Sequence, residues 1–374
     1  MLFRTLSLSE IERGGALTLL PLLKRFEGDE VYMNQPTHSQ SATPSLQGES
    51  FPGGKEFREE YSGISFKPDQ ERLPNSRWYK CTDPSLVGLL TTPNGMSKGA
   101  LVLLGGSEGG VATVWSDYFA SKGFTSFAIG YHKGRSQNTD LEMPHELSSG
   151  VPEHLENIGL HKLAGAIEWF RRLDPVRDQP VILLGASRGG ELVLILASMF
   201  PESCNKVVSL LPCAQVIGAY SANEEKQKQQ SQQGTPAWVT DNNNTAYDGN
   251  KGPSISEGEG DLSKMRRGAI PVENISAPIL TMSFTDDYVW LGVFWTNETF
   301  RKYCDAEEIL RPRNGFNRGD VFIRIQGEGH FGHPLEEKVD GSEPESKLIG
   351  DYREAWLKIL EFIEPRISLP SKAP

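Results

Sequence analysis

Cysteine is scarce in this sequence: four in 374 residues, Cys81, Cys204, Cys213 and Cys304. No pair has the C-x-x-C spacing of a zinc site, and so few in so long a chain do not make a disulfide framework. Reduced thiols in a cytosol-like compartment are the expectation. No apolar run approaches the roughly 18 residues of a membrane span. Positive charge is in deficit, with 38 Lys and Arg against 49 Asp and Glu and a formal net charge of -11. That argues against nucleic acid as a partner, because gripping a phosphate backbone takes clustered Lys and Arg. It also disfavours peripheral attachment to an anionic membrane. At the start of the chain, Glu10 and Glu12 precede the apolar residues 17–23, an order of charges that a signal peptide does not have. The last residues, Ser371-Lys372-Ala373-Pro374, differ from the peroxisomal Ser-Lys-Leu ending. A cytoplasmic location is expected.

What is present suits a globular enzyme: 37% hydrophobic and 23% charged residues, in a length that allows one large domain or two ordinary ones. Residues 1–75 read as an N-terminal arm. A short helix capped by Ser7 or Ser9 runs to residue 23, and residues 34–56 are rich in Gln, Ser, Pro and Gly. The arm is expected to wrap the main domain or to meet a second copy in a homo-oligomer. Residues 76–366 read as one α/β domain, followed by a tail at 367–374. Strands are predicted at 86–91, 100–104, 124–129, 181–184, 206–211, 279–284 and 321–325. Pro93-Asn94-Gly95 reads as a hairpin turn. Helices are predicted at 115–122, 154–173, 189–199 and 348–363. Strands alternating with helices imply a mostly parallel sheet covered on both faces. Residues 221–265 are polar and low in complexity, which predicts a lid or loop excursion. Within it, Trp238 and Tyr247 are candidates for anchors on the core or for substrate contacts.

The chemistry concentrates at Gly185-Ala186-Ser187-Arg188-Gly189. It fits G-x-S-x-G directly after a predicted strand and before a helix, the context of a nucleophile elbow in an α/β-hydrolase fold. A serine hydroxyl is a weak nucleophile until a base takes its proton. The base should follow late in the chain, after a carboxylate. His330 fits, in Gly327-Glu328-Gly329-His330 after the 321–325 strand, and is favoured over His333 because Gly329 permits a sharp exit from the strand. His38, His132, His145, His154 and His161 fall outside this order. The acid should follow the 279–284 strand, where spacing alone leaves Asp286 and Asp287 open. An oxyanion hole needs preset donors. The backbone N–H of Arg188 and that of Ser107, in Gly105-Gly106-Ser107-Glu108-Gly109-Gly110, are the candidates. No metal-ligand spacing is present.

The run Leu183-Leu184-Gly185-Ala186-Ser187-Arg188-Gly189-Gly190-Glu191-Leu192, with Ala164-Gly165-Ala166-Ile167-Glu168-Trp169-Phe170 upstream, resembles a known family. It is similar to the C-terminal catalytic domain of the acyl-CoA thioesterase and bile acid-CoA:amino acid N-acyltransferase family. Asp286-Asp287-Tyr288-Val289-Trp290, Gly329-His330 and Ile270-Pro271-Val272-Glu273 match further landmarks, and the resemblance spans roughly residues 95–365. It implies Asp287 as the acid and attack on a small-molecule acyl thioester. An acyl-serine would form, then pass to water or to an amine. The family's amide-forming members tend to use cysteine, so serine implies hydrolysis first and acyl transfer second. CoA would enter only as part of the substrate, with no separate cofactor. A peroxisomal location also belongs to the family. The N-terminal β-sandwich of its animal members has no counterpart in residues 1–75. A cyclase, a lyase or a non-catalytic binding protein on the same scaffold is the third reading.

Overall fold

The main sheet begins earlier in the chain than the sequence suggests. In the computed structural model, β1 (Phe66–Leu73) and β2 (Ser76–Cys81) pair antiparallel across a tight turn. The domain boundary drawn at 76 therefore moves back, since β1 belongs to the catalytic sheet. The structure describes residues 63–134, 143–239, 268–287, 289, 305–313, 319–330 and 347–364. Phe66 is buried against Phe127 and Trp169, whereas most of β1 faces solvent. An edge strand pairs on one side only, so Lys67, Pro68, Asp69 and Glu71 are tolerated there and discourage pairing with another chain.

β3 (Val87–Thr91) pairs antiparallel with β2 and with β5 (Thr125–Gly130). Pro93-Asn94-Gly95 is thus a turn between strands that are not neighbours, and no hairpin forms there. β4 (Ala100–Leu104) lies parallel to β5 on one side and to β7 (Val181–Ala186) on the other. β8 (Lys206–Leu210), β10 (Ile279–Asp286) and β11 (Val321–Glu328) continue the parallel sheet. Among the described residues the strand order is β1-β2-β3-β5-β4-β7-β8-β10-β11. β4, β5 and β7 are buried along their whole length, which is why β4 and β7 read as unbroken apolar runs and β5 carries only apolar and small residues.

Side chains alternate across the sheet and feed two apolar layers. Ala100, Val102 and Leu104 of β4 join α3 (Leu160–Arg171) and α4 (Arg188–Met199) in one layer. Leu101 and Leu103 join α1 (Thr113–Ser121) and α7 (Lys347–Ile363) in the other, through Trp115, Phe119, Trp356 and Ile359. A turn of helix, α2 (His145–Ser148), lies between β5 and α3, and α6 (Ala306–Leu310) precedes β11.

α3 starts at Leu160, six residues later than expected. Leu155 and Ile158 fit helical spacing, but their backbones pair elsewhere. Leu155 bridges Tyr220, and β6 (Ile158–Gly159) pairs parallel with β9 (Trp238–Val239). The first part of the polar insertion is likewise built rather than loose. α5 (Glu224–Gln233) is tied down by Gln230 Nε2 donating to Glu156 Oε2 at 2.7 Å and by a Lys226–Glu156 ion pair at 3.1 Å. Residues 240–267, with Tyr247, lie outside the described residues, as do residues 1–62, His333, Tyr288, Trp290 and the tail.

Candidate active site

The elbow forms because β7 must turn into α4 within one residue. Ser187 takes φ 54° and ψ -119°, a positive-φ conformation that a side chain normally avoids. Such strain costs about 1–3 kcal/mol and persists only where the surroundings enforce it. Here Ser187 N–H donates to Leu210 O of β8 at 2.9 Å, and Glu191 N–H returns to Ser187 O at 3.0 Å. The flanking glycines give the turn room. A Cβ on Gly185 would stand 2.2 Å from Gly189 O, and one on Gly189 would stand 2.2 Å from Leu104 O and 2.4 Å from Gly105 O. No side chain fits at either position. The second approach also presses the elbow against the loop that follows β4.

Ser187 follows β7, residues 105–110 follow β4, Asp287 follows β10, and His330 follows β11. All therefore collect at the carboxyl edge of the parallel strands, where open α/β sheets hold their ligands. Ser187 Oγ lies 2.9 Å from His330 Nε2. His330 Nδ1 lies 2.8 and 2.7 Å from the two Asp287 carboxylate oxygens. A carboxylate can only accept, so Nδ1 carries the proton, and Nε2 is left to accept from the serine hydroxyl. Val289 N–H donates to Asp287 Oδ1 at 3.0 Å and helps to hold the carboxylate in place. Asp286 Oδ2 accepts from Thr285 Oγ1, and it is Asp287 that meets His330 Nδ1. Of the two candidate aspartates, the structure brings Asp287 to the histidine.

The glycine before the histidine plays another part than expected. The positive φ falls on Gly327 (117°), inside β11 at the irregularity in its pairing with β10. Gly329 is required for space, since a Cβ there would stand 2.7 Å from the Phe284 ring.

Arg188 N–H sits at the first position of α4, where no intrahelical acceptor exists. Ser107 lies in the loop that packs on the elbow, half-buried. Both candidate oxyanion donors are thus on the Ser187 side of the sheet edge.

The Arg188 side chain, read in the sequence only for its backbone, proves to be a buried tie. Nη2 donates to Ile217 O at 2.8 Å and Gly218 O at 3.1 Å. Nη1 lies 2.7 Å from Glu191 Oε2, a charge contact rather than an aligned hydrogen bond. Trp238 Nε1 donates to Glu191 Oε1 at 2.7 Å, and the guanidinium stands 5.5 Å from the indole ring. Burial pushes the Glu191 carboxyl up to about 7, against the pull of Arg188. Trp238 is only 1% exposed. It is an anchor in the core, and the alternative of a substrate contact is corrected accordingly. The signal for this cluster was in the sequence: a cation and an anion three apart in a helix whose other residues, Ser198 apart, are apolar or glycine.

His132, at the end of β5, is buried beside Gly106, and neither ring nitrogen has an aligned hydrogen-bond partner. Burial pushes its pKa down to about 4, so the ring is neutral at pH 7. His154 Nδ1 meets Ser221 Oγ at 3.2 Å and serves the α5 attachment. Among the described residues no group of His, Cys, Asp and Glu is arranged to hold a metal ion, and no helix is long and apolar enough to cross a membrane.

The strand order, the elbow after β7 and the layers of helices define an α/β-hydrolase fold. A family model described as alpha/beta hydrolase fold matches residues 119–251. Among solved structures, an acetyl xylan esterase from Paenibacillus sp. R4 aligns over 85% of this chain and 96% of its own, at 13% identity and TM-score 0.45. The alpha/beta hydrolase GrgF from Penicillium sp. sh18 aligns over 80% and 97%, at 15% identity and TM-score 0.42. An acylaminoacyl peptidase from Pyrococcus horikoshii aligns over 79% of this chain and 41% of its own, at 16% identity and TM-score 0.42. Identities this low say nothing about substrate. No curated protein sequence matches the chain.

Proposed function

We propose that this chain is a serine hydrolase that cleaves an acyl thioester or a related carboxylic ester. The reading rests on one observation: the unbroken relay from Ser187 Oγ through His330 to Asp287, with the serine held on a strained elbow. His330 Nε2 takes the hydroxyl proton while Oγ attacks the acyl carbon. The N–H groups of Arg188 and Ser107 receive the oxyanion. The protonated imidazole gives its proton to the departing sulfur or oxygen. Water, deprotonated by the same nitrogen, then attacks the acyl-serine; the acyl–Oγ bond breaks, His330 returns the proton to Ser187 Oγ, and the carboxylic acid leaves. Asp287 fixes the ring and stabilises its charged form without taking the proton itself. The thioester arm is supported by the sequence resemblance alone; the relay supports acyl transfer to water in general.

The test is a panel of acyl-CoAs and simple aryl esters assayed with the native chain and with Ser187→Ala. At least one compound is expected to turn over, with kcat down by about 10⁴-fold or more in the variant. Product analysis with amino-acid acceptors present is expected to give the free acid. Full turnover by Ser187→Ala would remove the reading.

A further inference from the structure

We infer that Tyr131 and Glu108 are positioning residues for the oxyanion hole: between them they clamp one peptide of the loop after β4, so that the next peptide turns its N–H, that of Ser107, toward Ser187. The inference rests on the hydrolase reading above.

A trans peptide is planar, with its C=O and N–H pointing in opposite directions. In the Gly105–Gly106 peptide both ends are held. The buried Tyr131 hydroxyl donates to Gly105 O, and Gly106 N–H donates to Glu108 Oε1 at 2.8 Å. Gly106 N–H is therefore committed and does not serve the oxyanion. In the following peptide, Gly106 O accepts from Gly109 N–H at 3.3 Å. Its opposite end, Ser107 N–H, must point away from that turn. The loop packs directly on the elbow, since a Cβ on Gly106 would stand 3.2 Å from Ala186 O. The loop is closed at its other end by Gly110 N–H donating to His132 O at 2.9 Å. Without the clamp, the Gly105-Gly106 pair has few steric limits and can rotate its peptides. A rotated peptide would present a carbonyl to the developing negative charge.

Tyr131 is fully buried and its hydroxyl stays protonated, since burial raises its pKa far above the ordinary phenol value. It donates at every working pH. Glu108 is solvent-exposed, and its carboxylate folds back onto the loop that carries it.

The test uses the full chain, with Tyr131→Phe, Glu108→Ala, Glu108→Gln and Ser187→Ala. Two probes that need no knowledge of the natural substrate are used. One is a fluorophosphonate, for which the limiting rate of phosphonylation and KI are separated; the other is phenylboronic acid, which forms a tetrahedral adduct on an activated serine. Tyr131→Phe is expected to lower the limiting rate about 10- to 100-fold, with KI within about twofold, and to weaken the boronate by a similar factor. Glu108→Ala is expected to act in the same direction, by about threefold to tenfold, whereas Glu108→Gln keeps an acceptor oxygen and stays near the native rate. Should Tyr131→Phe fail to fold, the exposed Glu108 pair decides the matter alone. A folded Tyr131→Phe at the native limiting rate, a loss confined to KI, or Glu108→Ala no slower than Glu108→Gln would each overturn the inference. Native Tyr131→Phe rates beside an unreactive Ser187→Ala would sink the clamp and leave the hydrolase reading standing. A reactive Ser187→Ala would sink the hydrolase reading itself.

Discussion

Asp287→Asn is the sharpest perturbation of the relay. Both Asp287 oxygens lie within 2.8 Å of His330 Nδ1, and Oδ1 also accepts from Val289 N–H at 3.0 Å. In the variant, the Val289 N–H keeps the amide oxygen at the Oδ1 position. The NH₂ group then falls where Oδ2 stood, 2.7 Å from Nδ1. Two donors cannot face each other, so Nδ1 must become the acceptor and the ring proton must move to Nε2. A protonated Nε2 cannot take the Ser187 proton. The loss seen for the equivalent change in the serine-protease triad is about 10⁴-fold in kcat, and a drop of that order is expected here with little change in KM. Asp286→Asn is expected to stay within a few-fold of native, because its carboxylate is turned to Thr285. Steady-state hydrolysis of whichever ester or thioester the native chain turns over reads both. Asp287→Asn within tenfold of native, or Asp286→Asn the more damaging of the two, would refute the tautomer argument.

Gly189→Ala would place a methyl 2.2 Å from Leu104 O, and the elbow and the oxyanion loop would have to part. A destabilisation of about 1–3 kcal/mol in urea unfolding, with a marked loss of activity, is expected. Arg313 is a buried clamp: it bonds both Asp320 oxygens and the carbonyls of Val272, Ile275 and Ala277, with both side chains fully enclosed. Arg313→Leu leaves the Asp320 charge unpaired and is expected to cost about 3–5 kcal/mol, measured by chemical denaturation. His132 gives a pH signature. Its folded pKa is depressed to about 4 from 6.5, so the unfolded chain binds the proton first and stability falls as pH drops from about 6.5 toward 4. Native protein should lose about 3 kcal/mol through this group over that window, and His132→Phe should not. Parallel losses in the two proteins would remove His132 as the cause.

The central strands were legible because burial on both faces leaves an unmistakable signature: β4, β5 and β7 carry nothing but apolar and small residues. Ser187 follows one of these strands, and Asp287 and His330 follow β10 and β11, in the chain order serine, acid, base that the sequence offered. β1 was not legible, since a strand exposed at the sheet edge shows no alternation and Phe66 alone marks its inner face. The start of α3 was misplaced because Leu155 and Ile158 obey helical spacing while their backbones pair with Tyr220 and Trp238. That pairing joins residues about 65 and 80 positions apart, beyond any local pattern. The Glu108 and Tyr131 bonds to the oxyanion loop were hidden for a different reason. They depend on which way each peptide faces, and residue type does not encode that.

The central claim is that Ser187 is a nucleophile activated by His330. Fluorophosphonate labelling, followed by intact-mass measurement and peptide mapping, tests it most directly. One phosphonyl group per native chain is expected, on the peptide containing Ser187, with no adduct in Ser187→Ala and at most slow labelling in His330→Ala. An adduct that maps elsewhere, or that survives Ser187→Ala, would contradict it.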